Sequence, residues 1–512
     1  MEVFEKNKGF KIINGDSLKV LDTIPENSID AIITDPPYGL TSITKRFGKE
    51  NSAPNQYGKD GSFARLTKGF MGKEWDGSGI EYNVDLWHKA LKVLKPGGFL
   101  LAFGGTRTFH RIACAIEDAG FEIRDTIMWL YGSGFPKSMN IGLAIDKKNG
   151  VESQVVGKGK SGKSSHAFQS EYCSTAGEFQ KLKANNEWSG WGTALKPAYE
   201  PIIVARKPCE KSVIENVQKY RVGGINIDEC RVGTETIKGG TMPDLKYVGE
   251  EQKKQGNGHK MSFGQVENAP RLECDDHTGR FPANVILTYD ETDEKEVCGA
   301  MPKTTSNYNT EGKHETEIHR ENQDFLQYGY KERIDSGFND EGSAARYFYC
   351  AKATSKDRDE GLNDFEEKKT GELQGGRKEG SAGSIMLNAD GTTRVNPYAG
   401  GGAVKKNTHP TVKPVELMQY LVRLVCPKGA TILDIFNGSG STGKAVAFEN
   451  RERDANYKYI GIELDKEYCR ISESRIDYAL NQYKYDIMEE IKENKDKGQL
   501  SLFDYNNEEE GD

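Results

Sequence analysis

Apolar and polar positions alternate strongly in two blocks of the chain, and a long irregular stretch separates them. In the first block Phe10-Lys11-Ile12-Ile13 reads as a strand, Asn14-Gly15-Asp16 as a turn and the residues to Leu21 as a short helix. The run Ile29-Asp30-Ala31-Ile32-Ile33-Thr34 is a buried strand that ends at Asp35. A Gly- and Lys-rich loop over about 39–80 leads to a helix from Val84 to Leu94, stopped by Lys95-Pro96-Gly97-Gly98. Phe99 to Phe103 predicts another buried strand, Arg107 to Ala119 a helix, and Phe121 to Trp129 and Tyr199 to Ala205 two further strands. The second block resumes at Pro414 with a helix to Val425 and a strand from Thr431 to Ile435. A glycine loop, a helix from about Thr442, a strand from Tyr457 to Ile462 and a helix from Lys466 follow. Strands and helices in succession imply a mostly parallel sheet with helices on its faces.

From Lys207 to about Lys406 the pattern dissolves into short apolar pieces, such as Phe281-Pro282-Ala283-Asn284-Val285-Ile286-Leu287, among Gly, Asn, Lys and Glu. An insert of this length in an α/β scaffold is the usual carrier of recognition. The 512 residues allow two to four domains, and 36% hydrophobic residues, 29% charged residues and a mean hydropathy of −0.71 describe a soluble chain with long polar loops. There is no run of about 18 apolar residues, and Met1 to Lys6 has no apolar signal core, so a cytoplasmic protein is expected. The nine cysteines are scattered and include no Cys-x-x-Cys pair, which reads as reduced thiols. Cys274-x-x-His277 has ligand-like spacing but lacks a second pair, so no metal site is expected.

The net charge of −8 counts against nucleic acid as a partner when taken as a sum. Its distribution tells more. Lys147, Lys148, Lys158, Lys160 and Lys163 stand against the single acid Glu152, whereas the C-terminus gathers Glu489, Glu490, Glu493 and Glu508 to Glu510. The basic segment reads as a DNA footprint or as a solvated loop.

Chemistry concentrates first at Asp35-Pro36-Pro37-Tyr38, at the end of a buried strand. The prolines fix their own φ and hold their predecessors extended, which turns the backbone and aims one carboxylate and one carbonyl the same way. The Asp35 carboxylate and the Pro36 carbonyl match the two N–H donors of an exocyclic amine on a nucleobase, and Tyr38 offers a ring for stacking. The alternative is a plain proline turn. The second concentration is Asp434-Ile435-Phe436-Asn437-Gly438-Ser439-Gly440-Ser441-Thr442-Gly443-Lys444-Ala445, between a strand and a helix. Gly438-x-Gly440-x-x-Gly443 fits a dinucleotide fingerprint, with Glu463 placed to bind a ribose. A nicotinamide enzyme is one reading. A P-loop is a poorer one, because Ala445 stands where a hydroxyl must hold magnesium. An S-adenosylmethionine pocket is the third. It needs close-approaching glycines, an acid for the ribose (Glu463), an aromatic wall (Phe436) and an acceptor for ligand amines (Asp434 or Asp16).

Together these segments resemble the S-adenosylmethionine-dependent DNA amino-methyltransferases in their permuted β class. Asp35 to Tyr38 resembles the catalytic motif, and Asp434 to Gly443 the cofactor motif, with Ile435 where proline is usual. His409-Pro410-Thr411-Val412-Lys413-Pro414 resembles the segment that helps hold the methionine end, and Gly461-Ile462-Glu463 carries the ribose acid. Trp191 to Pro201 resembles a segment that follows the catalytic half. The resemblance covers roughly 1–145, 188–208 and 340–480.

It implies an α/β fold: a Rossmann-like, mostly parallel methyltransferase sheet, circularly permuted, with a large inserted recognition domain. The catalytic half would be 1–207, with 147–190 facing DNA, the target recognition domain 208–405 and the cofactor half 406–483. An acidic tail, 484–512, would follow. The catalytic residues implied are Asp35, Pro36, Pro37 and Tyr38. Those for S-adenosylmethionine are Asp16, Thr411, Lys413, Asp434, Phe436, Asn437, Gly438, Ser439, Gly440 and Glu463. The substrate implied is double-stranded DNA with its target base flipped out, in a bacterial or phage restriction–modification setting. The Asp-Pro-Pro-Tyr form is commoner for adenine N6 than for cytosine N4. In the tail, Gln499, Leu500, Ser501, Leu502 and Phe503 resemble a peptide that docks on the bacterial sliding clamp, or they fold back on the sheet.

Overall fold

The computed structural model describes residues 2–6, 9–39, 79–131, 138–160, 178–237, 241–243, 271–273, 275–289, 303–306, 340–352, 356–369, 385–387, 393–395 and 404–496. The chain divides into two compact units, 1–226 with 284–297 and 350–512, and 227–283 with 298–349.

The first unit is built on a sheet of ten strands: β1 (Glu2–Lys6), β2 (Phe10–Asn14), β3 (Ile29–Thr34), β4 (Leu94–Phe103), β5 (Glu122–Leu130), β6 (Tyr199–Arg206), β7 (Val285–Tyr289), β8 (Tyr349–Lys352), β9 (Thr431–Asp434) and β10 (Lys458–Glu463). Their order across the sheet is β1-β2-β10-β9-β3-β4-β6-β5-β7-β8. The central neighbours β2, β10, β9, β3 and β4 run parallel. β6 runs antiparallel to both β4 and β5, and β1 closes the other edge antiparallel to β2. All six residues of β3 are buried, as its apolar run predicts. From β9 the chain moves to β10 on one side, and from β3 to β4 on the other. The order therefore reverses between β9 and β3, where open α/β sheets bind ligands outside the carboxyl ends of their strands.

The helices follow the periodicity. After α1 (Ser17–Val20), α2 (Val84–Val93) buries Leu86, Trp87, Ala90 and Val93, a spacing that keeps one face on the sheet, and Asn83 caps it through Asp85 N. Then come α3 (Phe109–Asp118), α4 (Ile141–Asn149), α5 (Val213–Tyr220), α6 (Val415–Val425), α7 (Ser441–Arg453) and α8 (Lys466–Asp496).

Four expectations change. Helix α2 stops at Val93, just before Lys95-Pro96-Gly97-Gly98 as predicted, but that segment is then not a loop and falls within β4. The segment 147–190 carries a hairpin, Gln154–Lys160 against Glu178–Lys183, rather than a loop. Buried Asp146 of α4 anchors it, accepting from Asn185 N, Asn186 Nδ2 and Ser153 Oγ. The stretch 208–405 is not one separate domain. Val285, Ile286 and Leu287 pair in parallel with Met128, Trp129 and Leu130 of β5, so an apolar piece of the insert belongs to the main sheet. Finally, α8 runs on to Asp496 through a kink at Asn481, because no Gly or Pro interrupts the chain before Gly498. Helix thus occupies the beginning of what reads as a tail.

The second unit is made of short antiparallel pairs: Val232–Ile237 with His277–Arg280, Thr241–Pro243 with Arg271–Glu273, and Lys303–Ser306 with Asp340–Ser343. Cys274 and the segment Gln499 to Phe503 lie outside the described residues. The described cysteines, 114, 209, 230, 350, 426 and 469, are free thiols. Among the described residues no helix is long and apolar enough to cross a membrane.

Candidate active site

Because β3 and β9 are neighbours, the segments that leave their carboxyl ends meet although some 400 residues of sequence separate them. Thr34 at the end of β3 donates through Oγ1 to Asp434 Oδ1 at 2.7 Å, and Phe436 N–H lies 3.1 Å from both oxygens. Thr442 Oγ1 occupies Asp434 Oδ2 at 2.7 Å. Asp434 is thus buried with both oxygens engaged, and burial raises its pKa to about 6 despite three donors. It holds the glycine loop in shape, tying β3, the loop and the start of α7 together.

The loop has the backbone that close approach demands. Gly438 has φ +51°, and a Cβ there would stand 2.9 Å from His409 Nε2. Gly440, at φ +78°, caps α7 against Ser472, where a Cβ would meet Oγ at 2.2 Å. Asn437 is buried and turned inward, taking Tyr459 OH at 2.7 Å on Oδ1 and donating to Ser472 Oγ at 2.9 Å. Ser439 is likewise buried, its carbonyl and hydroxyl both accepting from Arg475 Nη1. The side chains of Asn437 and Ser439 therefore fix the loop, and what faces a ligand here is backbone.

Glu463 ends β10 beside this loop. Its Oε2 accepts from Gly438 N and its Oε1 from Asp465 N, each at 2.8 Å. Burial pushes its pKa to about 7 against those two donors. Each oxygen keeps a lone pair for a further donor. Next to it, Asn14 Nδ2 and Gly15 N bond Glu463 O, which brings the turn after β2 to the same corner. Asp16 caps α1 there, with Oδ1 accepting from Leu18 N at 3.1 Å. Phe436 is half-buried at the edge of the core.

On the other side stand Asp35, Pro36, Pro37 and Tyr38, with both prolines buried. Lys413 Nζ donates to Asp35 Oδ2 at 2.5 Å, lies 3.1 Å from Tyr38 OH and 3.4 Å from Glu200 Oε2. Tyr38 OH donates to Glu200 Oε2 at 2.6 Å. Burial, then the charges of Asp35 and Glu200, hold the Tyr38 phenol well above its ordinary pKa, so it stays a donor. Burial alone would lower the Lys413 ammonium, but the two carboxylates outweigh it and raise it. Asp35 Oδ1 is buried and has no partner among the described residues. An acceptor left open in such a place costs about 1–3 kcal/mol unless a donor arrives. Thr108 Oγ1 and Tyr82 OH bond the Tyr38 carbonyl and fix the turn.

Lys413, read from sequence as a cofactor residue, bonds the catalytic motif directly. Its segment bridges the halves, since His409 abuts Gly438 while Lys413, four residues on, pairs with Asp35. Thr411 is exposed between them, its carbonyl 2.5 Å from His409 Nδ1. His409 is neutral, its pKa pushed to about 3 by burial. Glu200, Thr34, Thr442 and Arg475 were not picked out from sequence. Glu200, Thr34 and Thr442 each lay in a segment that the sequence singled out, and only Arg475 had no such signal.

The sequence profile of the DNA methylase family, which embraces N6 and N4 methyltransferases, matches residues 29–474, from β3 into α8. The chain belongs to the DNA methylase family. This DNA methylase is 25% identical over 234 residues to the Type II methyltransferase M.HindIII of Haemophilus influenzae, covering 42% of this chain and 64% of that protein. It thus spans less than two thirds of that relative. With the Type II methyltransferase M2.LlaDCHI of Lactococcus lactis it shares 26% identity over 218 residues, 40% of this chain and 74% of the other. Among solved structures, a DNA modification methylase of Thermus thermophilus complexed with S-adenosylmethionine aligns at a TM-score of 0.33 and 12% identity, covering 92% of this chain and 94% of the other. The cytosine-N4-specific PvuII DNA methyltransferase aligns at 0.32 and 13%, covering 92% and 93%.

S-adenosylmethionine is the methyl donor of the family, and the residues gathered here suit that group. A glycine loop packed closely on His409 and Ser472, and the partly buried Glu463 carboxylate with one donor on each oxygen, lie near the open oxygen of Asp35.

Proposed function

We propose that this chain transfers a methyl group from S-adenosylmethionine to N6 of an adenine flipped out of double-stranded DNA at a specific sequence. The observation that carries this reading is the buried, unpartnered Asp35 Oδ1, held one strand away from the glycine loop at the sheet's switch point. Asp35 Oδ1 and the Pro36 carbonyl accept the two hydrogens of the amine, Pro37 stiffens the turn and Tyr38 provides the stacking face. Accepting those hydrogens draws the nitrogen lone pair out of the base ring and favours it as a nucleophile. The bound cofactor supplies an electrophilic methyl group on a cationic sulfur. Glu463 accepts the ribose hydroxyls, Phe436 walls the adenine, and Gly438 and Gly440 let the backbone approach. Asp16 and Thr411, at the rims of the loop, complete the contacts. Flipping the target costs a few kcal/mol, which contacts from the hairpin at 154–183 and from the stretch 227–349 repay.

Adenine is favoured over cytosine N4 by the aspartate that opens the motif. The setting is the bacterial cytoplasm, as part of restriction–modification, and Gln499 to Phe503 dock on a sliding clamp. A chain ending at Lys497 should lose clamp in a pull-down, and undiminished capture contradicts that docking.

The test is DNA from a methylation-free host expressing the chain, sequenced with modified-base detection. N6-methyladenine confined to one recognition sequence is expected. N4-methylcytosine would replace the adenine reading, and unmodified DNA from cells containing folded protein would overturn the reaction.

A further inference from the structure

Glu200 and Lys413 are far apart in sequence, yet they share one largely buried cluster with Asp35 and Tyr38. The Lys413 side chain is 7% exposed, and the side chains of Asp35 and Glu200 are 21% exposed. Tyr38 OH and the Tyr131 hydroxyl both bond Glu200, which fixes its carboxylate toward the ammonium. Lys413 Nζ also lies 4.8 Å from the Phe103 ring, so aromatic faces as well as acids enclose the cation.

Two carboxylates and one ammonium give this cluster a formal charge of −1. Lys413 holds Asp35 by Oδ2 and leaves Oδ1 as the oxygen that meets the amine. An ammonium paired with Asp35 alone would cancel the charge the reaction depends on. Shared with Glu200, it orients Asp35 without neutralising the site.

We infer that Lys413 and Glu200 act as a pair of positioning residues that set the charge of the catalytic cluster at −1, matched to the single positive charge that passes through it. The inference rests on the methyltransferase reading and names a control of that same site. In the reaction the methyl carbon–sulfur bond breaks and a carbon–nitrogen bond forms. The sulfur takes the bonding pair and becomes a neutral thioether, while the amine nitrogen acquires the positive charge. That nitrogen then gives one proton to Asp35 Oδ1, which releases it to water. A net charge of −1 stabilises the positive charge that develops on the nitrogen beside Asp35, more than it does the charge on the bound sulfonium. A charge of 0 does so poorly, and a charge of −2 makes the two carboxylates compete for a proton and removes the acceptor.

The consequence is a pattern no purely structural role gives. Glu200→Gln leaves a charge of 0 and Lys413→Met a charge of −2, and each should lower the single-turnover methylation rate on the order of 100-fold. Cofactor affinity, measured by calorimetry, should stay within about threefold, because both residues stand apart from the glycine loop. The double variant Glu200→Gln/Lys413→Met restores −1 and should recover to within about tenfold of wild type, where independent losses would multiply. Lys413→Arg keeps the charge and serves as the conservative control, with activity within about tenfold of wild type expected. A double variant no faster than the slower single one, with all variants binding cofactor, overturns the inference while leaving the methyltransferase reading intact. Wild-type chain that binds cofactor but never methylates DNA overturns both.

Discussion

Glu463 shows how a single carboxylate couples the cofactor loop to pH. Its folded pKa of about 7 lies above the ordinary 4.5, because burial disfavours the charged form more than the Gly438 and Asp465 amides favour it. The folded chain therefore holds a proton that the unfolded chain releases, and this group's contribution to stability falls as pH rises from 4.5 to about 7. Cofactor binding reverses the sign. Two ribose hydroxyls donating to Glu463 favour the carboxylate, so binding expels the proton and strengthens as pH rises toward about 7. S-adenosylmethionine affinity should be about tenfold weaker at about pH 6 than at about pH 7.5, with proton release seen as a buffer-dependent calorimetric enthalpy. Equal affinity at the two pH values would remove Glu463 from the ribose. At this scale the sequence was readable where chemistry is local: Asp35, Glu463 and the glycines stand at strand ends that their own neighbours define. The partners of Lys413 and Asp434, namely Asp35 and Thr34, were not legible because they are distant in sequence and near only across the sheet. Residue type and spacing cannot show which oxygens are already taken.

Among the elements, α8 does more than cover the sheet. Arg475, fully buried on this helix, donates to Ser439 O and Oγ and to Asp357 O, which ties the cofactor loop to the helical turn Lys356–Asp359. Beside it Lys444 pairs with Glu360, and Leu362 packs on Tyr468 and Ile471. The loop thus inherits its shape from a helix whose anchoring residue follows it by 36 positions. Arg475→Met removes these donors from the buried Ser439 carbonyl and hydroxyl, a cost of about 1–3 kcal/mol. Denaturant unfolding should show that loss, and cofactor affinity should fall about tenfold as the loop loosens; unchanged affinity would mean that the loop holds itself. The sequence predicted α8 and most of the sheet from periodicity, and failed where a short signal competes with context. Lys95-Pro96-Gly97-Gly98 has a helix-end composition and follows the helix end, yet lies within β4 as an irregularity between its paired residues Leu94 and Phe99, and Val285 to Leu287 is too short a run to reveal that it joins β5.

The whole molecule joins two distant stretches of chain into one site because β3 and β9 are sheet neighbours while the insert departs from elsewhere. The permuted order, with the catalytic motif first and the cofactor motif last, costs the site nothing: β9 meets β3 whichever comes first in the chain. An acidic chain of net charge −8 can still act on DNA when its lysines are grouped, as they are from Lys147 to Lys163. In a site assembled this way, the proposed amine acceptor and the glycine loop stand on different strands, and a single substitution can separate their effects. Asp35→Ala removes the open acceptor on β3's side and leaves the loop on β9's side untouched. The direct measurement is single-turnover methylation of DNA by this variant alongside calorimetric titration with S-adenosylmethionine. Methyl transfer should be abolished, with cofactor affinity within about threefold of wild type; turnover remaining within about tenfold of wild type would contradict the role of Asp35 and the account built on it.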